Sequence, residues 1–257
     1  MNKVAIVTGG SSGIGKAVCI ALADAGFHLS IVGRTRCYID STLEQLKAPP
    51  QKHTKPSHIG LVLDVSNESD MQEMVTSTLD HFGRIDLLIS SAGIGKKAGS
   101  ERIIPHSTAT LPPDEWEEVI GVNLTGTFLS NRAVLAVMMS QGSGHIINVC
   151  SSTTPHGLRG RPYAPAYSAS KFGIVGLTES LAEEVATHGI RVQAIFPGAV
   201  ETPLVDKTTL ARPFGGAIAA DNFAKSVMYL VTQSVDATIV HPHVIPFRGA
   251  FSNENDT

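Results

Sequence analysis

Residues 4–15 read VAIVTGGSSGIG. The apolar run at 4–7 is a strand candidate, and the glycines that follow turn it into something tighter than a loop. Two machines fit these letters. Gly9-Gly10-Ser11-Ser12-Gly13 matches the G-x-S-x-G elbow that presents a nucleophilic serine in hydrolases. Gly9, Gly13 and Gly15 equally form a turn whose backbone closes on a phosphate, with Ser11, Ser12 and Ile14 lining it. Position separates the two. A hydrolase elbow follows a central strand, with the rest of its triad later in the chain. Strand, glycine turn and helix at the start of a chain is the plan of a dinucleotide site. The stretch 15–26, GKAVCIALADAG, supplies that helix, and Ser11 is read as a loop residue.

The same alternation continues along the chain. Strand candidates are KVAIV (3–7), HLSIV (28–32), HIGLVL (58–63), DLLIS (86–90), HIINVC (145–150), RVQAIF (191–196) and TIVHPHVI (238–245). Longer helical stretches lie between them, among them 69–83 and 172–189, and several stop at glycine. Strands joined by helical crossovers pair in parallel, with helices on both faces. The strands are apolar without clean alternation, as burial on both faces requires. The fold class expected is α/β: a single doubly wound, Rossmann-type domain over residues 1–250, with a parallel sheet of about seven strands. The polar tail 251–257 is expected to fray. Two extended loops, 94–113 and 153–165, follow strands and should emerge at the carboxyl edge of the sheet, where such folds bind ligands.

Composition narrows the function. Of 257 residues 42% are hydrophobic and 17% charged, enough apolar mass for a substantial core. A formal charge of −3 offers no basic excess for nucleic acid. No apolar run is long enough to span a membrane, and the amino terminus does not read as a secretory signal. Cys19, Cys37 and Cys150 are odd in number and unpaired in spacing, which fits free thiols and a cytoplasmic address. No metal site is expected. His241-Pro-His243 is the nearest approach to one, and the intervening proline favours an extended strand end over a ligating helix face.

The residues beyond the glycine turn carry a resemblance to a known family. Thr8–Gly15 is similar to the T-G-x-x-x-G-x-G turn of classical short-chain dehydrogenases/reductases. Asp64-Val65 after the third strand matches the family's adenine contact. Ser90-Ser91-Ala92-Gly93 stands at the place of its N-N-A-G, Asn123 matches its helix asparagine, and YSASK (167–171) matches its Y-x-x-x-K core. PGAVETP (197–203) matches the segment that embraces the nicotinamide, with Pro197, Gly198, Val200 and Thr202 as the residues concerned. The resemblance runs from Lys3 to about Gly249.

It implies an oxidoreductase that interconverts an alcohol and a ketone or aldehyde. Tyr167 and Lys171, four apart, share one helix face. A phenol titrates near 10, and bringing any phenol to neutrality takes roughly 4 kcal/mol of preferential stabilisation of its anion. An adjacent ammonium supplies much of that. Tyr167 would then be the general acid or base, and Lys171 would also hold the nicotinamide ribose. Ser151 is the serine expected to bind the substrate oxygen, with Ser152 the second choice. Its spacing to Tyr167 is longer than the family usually shows. Asn123 would complete a proton path through a water.

After the second strand comes Gly33-Arg34-Thr35-Arg36, with no acid before Asp40. An arginine there accepts a 2′-phosphate, so Arg34, assisted by Thr35 or Arg36, points to NADP(H), with NAD(H) as the alternative. Ser91, Ala92 and Gly93 would lie along the cofactor. Departures from the family pattern are Ser90-Ser91 for two asparagines, and a carboxyl end without I-T-G…V-D-G-G. That end and the short region after PGAVETPL weaken an assignment as a 3-oxoacyl-carrier-protein reductase, which stays as an alternative. A non-catalytic dinucleotide sensor is the rival class, and the intact Ser151, Tyr167 and Lys171 set argues against it. Arg159, Arg161 and Lys96-Lys97 are read as solvated loop charges, with an anionic group on the substrate as the alternative. Assembly as a homo-dimer or homo-tetramer is implied through helices at about 114–140 and 167–187.

Overall fold

The structure, a computed structural model, describes residues 3–46, 58–97, 99, 106–154, 156–205, 214–234 and 236–247. The expected tail 251–257 lies outside them, as do parts of the loop 94–113 and of the region 202–216.

Seven strands form one sheet in the order β3-β2-β1-β4-β5-β6-β7, every pairing parallel. They are β1 (Val4–Thr8), β2 (His28–Gly33), β3 (Ile59–Val62), β4 (Leu87–Ser90), β5 (Gly144–Val149), β6 (Ile190–Pro197) and β7 (His243–Val244). The helices are α1 (Gly13–Asp24), α2 (Arg36–Leu43), α3 (Glu68–Phe82), α4 (Pro113–Ile120), α5 (Gly126–Gln141), α6 (Pro165–Val185) and α7 (Ala220–Val231). The expected doubly wound architecture is therefore present. Its order reverses between β1 and β4, which opens a crevice at their carboxyl ends.

Each central strand is buried on both faces. Ala5, Val7, Ile31, Ile89 and Ile195 pack under α1 and α7 with Val18, Leu22, Phe223 and Val227. Ile6, Val32, Leu88 and Ile146 pack on the other face with Met71, Met74, Val134, Met138 and Leu181. Full burial of one such Leu or Phe side chain contributes about 1.5–3 kcal/mol. Capping adds direction to the helices. Asn67 accepts the Ser69 amide at 2.9 Å before α3, and Gly83, at φ 76°, ends that helix in the left-handed region.

Two expectations are corrected. The last strand is only His243–Val244, not 238–245. Pro242 lacks the amide a parallel ladder needs, and His241 sits at φ 51°, outside strand geometry. The helical stretch near 114–140 is broken by a π-helical turn at Gly121–Thr125, where the Gly126 amide donates to the Gly121 carbonyl. The stretch at 167–187 belongs to α6, which begins earlier, at Pro165, a residue suited to a first helical turn.

Candidate active site

The glycine turn leads from β1 into α1. Gly9 has φ 67°, and a Cβ there would stand 2.8 Å from the Cα and amide nitrogen of Ala92 at the end of β4. A Cβ on Gly15 would overlap the Gly9 carbonyl. Only glycines let the turn close against both the helix and β4. Ser12, in extended conformation, precedes α1 without a side-chain cap, and the first helical turn holds no acid. The first bond within the helix is Lys16 N–H to the Ser12 carbonyl, at 3.1 Å. The amides of Gly13, Ile14 and Gly15 are thus unclaimed by the helix and lie at its positive end. Thr202 reaches this point from the segment after β6, its Cγ2 3.1 Å from where a Gly13 Cβ would be. Ser11 lies against Gly33 at the end of β2 and bonds to no base among the described residues. That leaves the hydrolase reading without a general base.

The serines that replace the family's asparagines tie the strand ends together. Ser91 Oγ donates to the Thr8 carbonyl at 2.5 Å, joining β4 to β1 across the switch point. Ser90 Oγ donates to Asn131 Oδ1 at 3.1 Å, joining β4 to α5.

At the end of β2 the two arginines part company. Arg36 Nε donates to Asp40 Oδ2 at 3.0 Å, one turn along α2. Arg34 remains at the sheet edge, 3.9 Å from Asp64 Oδ2, and both side chains are partly exposed. A pair so long and so wet is weak. Asp64 Oδ1 accepts the amide and hydroxyl of Ser66, at 2.9 and 2.7 Å. Val65 is buried against Gly126, and Thr35 is the residue that opens α2. Arg34 and Asp64 are thus brought together, while Arg36 is turned away.

On α6, Lys171 is buried, its Nζ donating to the Val149 carbonyl at 3.0 Å and lying 5.6 Å from the centre of the Tyr167 ring. It has no carboxylate partner among the described residues. The Tyr167 hydroxyl likewise has no hydrogen bond among them. Both side chains face one place because they are one helical turn apart. Gly93 closes that place, since a Cβ on it would stand 3.4 Å from Asn123 Oδ1 and 3.8 Å from Lys171 Nζ.

Asn123 is fully buried within the π turn. Its Oδ1 accepts the Ile94 amide at 2.8 Å, and its Nδ2 donates to the Ile94 carbonyl at 2.9 Å and to Ser170 Oγ at 3.1 Å. Ser170 Oγ in turn donates to the Tyr167 carbonyl at 2.8 Å. The side-chain donors are therefore spent on clamping the β4 loop to the tyrosine helix. The irregular turn, a frequent feature of functional sites, aims this amide inward. Sequence reasoning missed Ser170 and Ile94 because nothing in their spacing marks them.

The two candidate serines after β5 are also distinguished. Ser152 Oγ shares a hydrogen bond with His243 Nδ1 at 2.9 Å and donates to the Thr154 carbonyl at 3.2 Å. Ser151, though buried, keeps its hydroxyl without a partner among the described residues. His243, expected only as part of an extended strand end, is the partner that holds Ser152. It stacks on Phe196, with ring centres 4.5 Å apart, and pins the serine loop to β7. No cluster of metal-ligating side chains occurs among the described residues. Cys150 donates to the Lys171 carbonyl at 3.1 Å, and burial pushes its thiol up to about 11, which suits packing and not attack.

Beyond β6, Val200 is buried and bridges to Ile218, while the Gly198 amide donates to the Val244 carbonyl at 2.8 Å. Pro197 ends β6 and accepts the Ser152 amide at 2.6 Å. The 197–203 segment thus runs beside both the serine loop and the start of α1. Among the described residues no helix is long and apolar enough to cross a membrane.

A doubly wound sheet with a glycine turn at its switch point is a dinucleotide-binding, Rossmann-type fold. Residues 3–212 match the short chain dehydrogenase family. Levodione reductase of Leifsonia aquatica is 34% identical, with 98% of this chain and 94% of that protein aligned. The structure of 3-ketoacyl-(acyl-carrier-protein) reductase from Brucella melitensis complexed with NADH superposes with TM-score 0.83. It is 28% identical, and the match covers 96% of this chain and 98% of that one. Actinorhodin polyketide ketoreductase with NADPH superposes with TM-score 0.80 at 27% identity, covering 98% of each chain. The chain belongs to the short chain dehydrogenase family of oxidoreductases.

Proposed function

We propose that the protein is an NADP(H)-dependent oxidoreductase that interconverts a ketone or aldehyde and the corresponding alcohol, with Tyr167 as general acid and base. The observation that carries this reading is the buried Lys171 ammonium, free of any carboxylate among the described residues and set beside the Tyr167 phenol.

The residues present fit a dinucleotide. The cradle of Gly9 and Gly15 is one that a single Cβ would fill, and the uncapped amides of α1 suit a pyrophosphate. Asp64 and Val65 would meet the adenine, Ser91, Ala92 and Gly93 the middle of the molecule, and Pro197, Gly198, Val200 and Thr202 the nicotinamide end. Arg34, held only by a loose pair, is available to a 2′-phosphate, which favours NADP(H) over NAD(H). Relatives bearing NADH and NADPH are consistent with either. When bound, the cofactor supplies or takes up the hydride.

The chain's own side chains do the rest. Ser151 offers its hydroxyl to the substrate oxygen and holds it in register. Tyr167 gives its proton to that oxygen in reduction and takes it back in oxidation. Lys171 keeps positive charge beside the phenol while the proton is away. Asn123 is a positioning residue, since its amide holds Ile94 and Ser170 in place. The same reading includes a homo-dimer or homo-tetramer, supported by exposed Trp116, Phe128 and Phe172 on α4, α5 and α6.

The test is Tyr167→Phe, assayed by NADPH absorbance with a panel of ketones and aldehydes. Turnover should fall by about 10²–10⁴, the usual contribution of a positioned acid, while NADPH affinity holds. Undiminished turnover in that variant would remove Tyr167 from the chemistry.

A further inference from the structure

The loop from Ser151 to α6 carries a charge the proposed chemistry does not use. Thr153 Oγ1 both accepts the Arg159 amide, at 2.7 Å, and donates to the Arg159 carbonyl, at 2.5 Å. Thr154 and Gly157 exchange backbone bonds at 3.1 and 3.0 Å. The Arg161 amide donates to Ser168 Oγ at 3.2 Å, and the Arg161 carbonyl accepts the Ala164 amide at 3.3 Å. Arg161 is therefore fixed at its backbone to the first turn of α6, at the residue next to Tyr167.

Arg161 is partly buried, and burial disfavours the charge that its guanidinium must nevertheless carry. Among the described residues it has no hydrogen-bonded or ion-paired partner, and the titratable group that acts on it is the Tyr167 phenol. Several other described cations have a carboxylate beside them. Arg34 faces Asp64, Arg36 holds Asp40, and Lys97 holds Asp114 across the mouth of the β4 loop. Arg159, two residues before, is exposed. A cation set partly out of water, with no counter-charge among the described residues and on a backbone bonded to the residue after the proposed proton donor, leaves an unmet demand for an anion.

We infer that Arg161 is a substrate-binding residue and that the carbonyl substrate bears a carboxylate, which the guanidinium grips while its oxo group faces Tyr167 and Ser151. A single planar fork matches one carboxylate in a bidentate manner. This inference rests on the proposed reductase chemistry and names its substrate class as oxo acids.

The test uses the full chain with NADPH and three oxo acids, 2-oxobutanoate, 3-oxobutanoate and 4-oxopentanoate, each beside its methyl ester. Calorimetric binding of each compound to the protein–NADP⁺ complex gives a readout independent of turnover. The wild-type protein should bind and reduce at least one acid in preference to its ester. Arg161→Gln should raise KM and Kd for that acid by roughly ten- to a hundredfold, the worth of a charged hydrogen bond. Its kcat on the ester should be unchanged, and Arg161→Lys should recover part of the loss. Equal losses on acid and ester would show that Arg161 acts on Tyr167 and overturn the inference. So would binding of none of the acids, or indifference between acid and ester. Turnover surviving in Tyr167→Phe would instead strike at the proton chemistry and leave the Arg161 binding result standing.

Discussion

Gly9 and Gly26 have similar backbones and opposite surroundings, which makes them a paired test of the cofactor turn. Gly9 has φ 67° and Gly26 φ 87°. An alanine at either position pays the left-handed penalty of about 1–2 kcal/mol. At Gly26 a Cβ meets nothing within 4 Å, so that penalty is the whole effect. At Gly9 the Cβ stands 2.8 Å from Ala92 Cα and nitrogen and 3.0 Å from the Ser91 carbonyl carbon, all backbone atoms that cannot rotate aside. Ordinary contact begins at 3.4 Å, so β1 and β4 must separate at their carboxyl ends. Overpacking of this kind costs a further 1–3 kcal/mol or so, about 2–5 kcal/mol in all for Gly9→Ala. The separation opens the crevice that should hold the dinucleotide. NADPH affinity, followed by fluorescence titration, should fall at least about tenfold, or 1.4 kcal/mol, in Gly9→Ala and stay within error in Gly26→Ala. Urea unfolding of both variants supplies the stability difference. Native NADPH affinity in a folded Gly9→Ala protein would refute the placement of the cofactor at this turn.

The arginines after β2 predict a second contrast: Arg34→Ala should cut the preference for NADPH over NADH by roughly tenfold or more, the worth of a charged hydrogen bond. Arg36→Ala, whose guanidinium is already paired with Asp40, should barely change it, and equal losses would reject Arg34 as the phosphate ligand. Acid should weaken the fold through His145, whose Nε2 donates to Gln193 Oε1 at 2.8 Å and whose burial lowers it to about 4. The unfolded chain protonates this group near 6.5 and the folded one only near 4, so stability is full above pH 6.5 and declines as pH falls to about 4, by up to about 3 kcal/mol. Urea midpoints measured across that range should decline less in His145→Gln, and an unaltered slope would count against it.

Much of the fold was legible because its determinants are local. An apolar run, a glycine turn and a helical period each lie within about fifteen residues, and doubly wound topology follows from their alternation. The last strand was misjudged for a local reason too, since its β-rich letters outweighed Pro242, which cannot serve the ladder. In the candidate site, Tyr167 and Lys171 could be paired in advance because helical geometry relates residues four apart.

The remaining choices depended on partners far away in the chain. Whether Ser151 or Ser152 has a free hydroxyl was decided by His243, 91 residues on. Which arginine stays at the sheet edge was decided by Asp40 on the next helix and Asp64 beyond the next strand. Asn123 found its task in Ile94 and Ser170, 29 and 47 residues off. By itself the sequence determined the scaffold and the pairing of Tyr167 with Lys171 on one helix face, since propensity and periodicity act over short spans. Only the tertiary structure decided which polar groups are spent and which are left over, because a buried hydrogen bond is made with whatever the fold brings within about 3 Å.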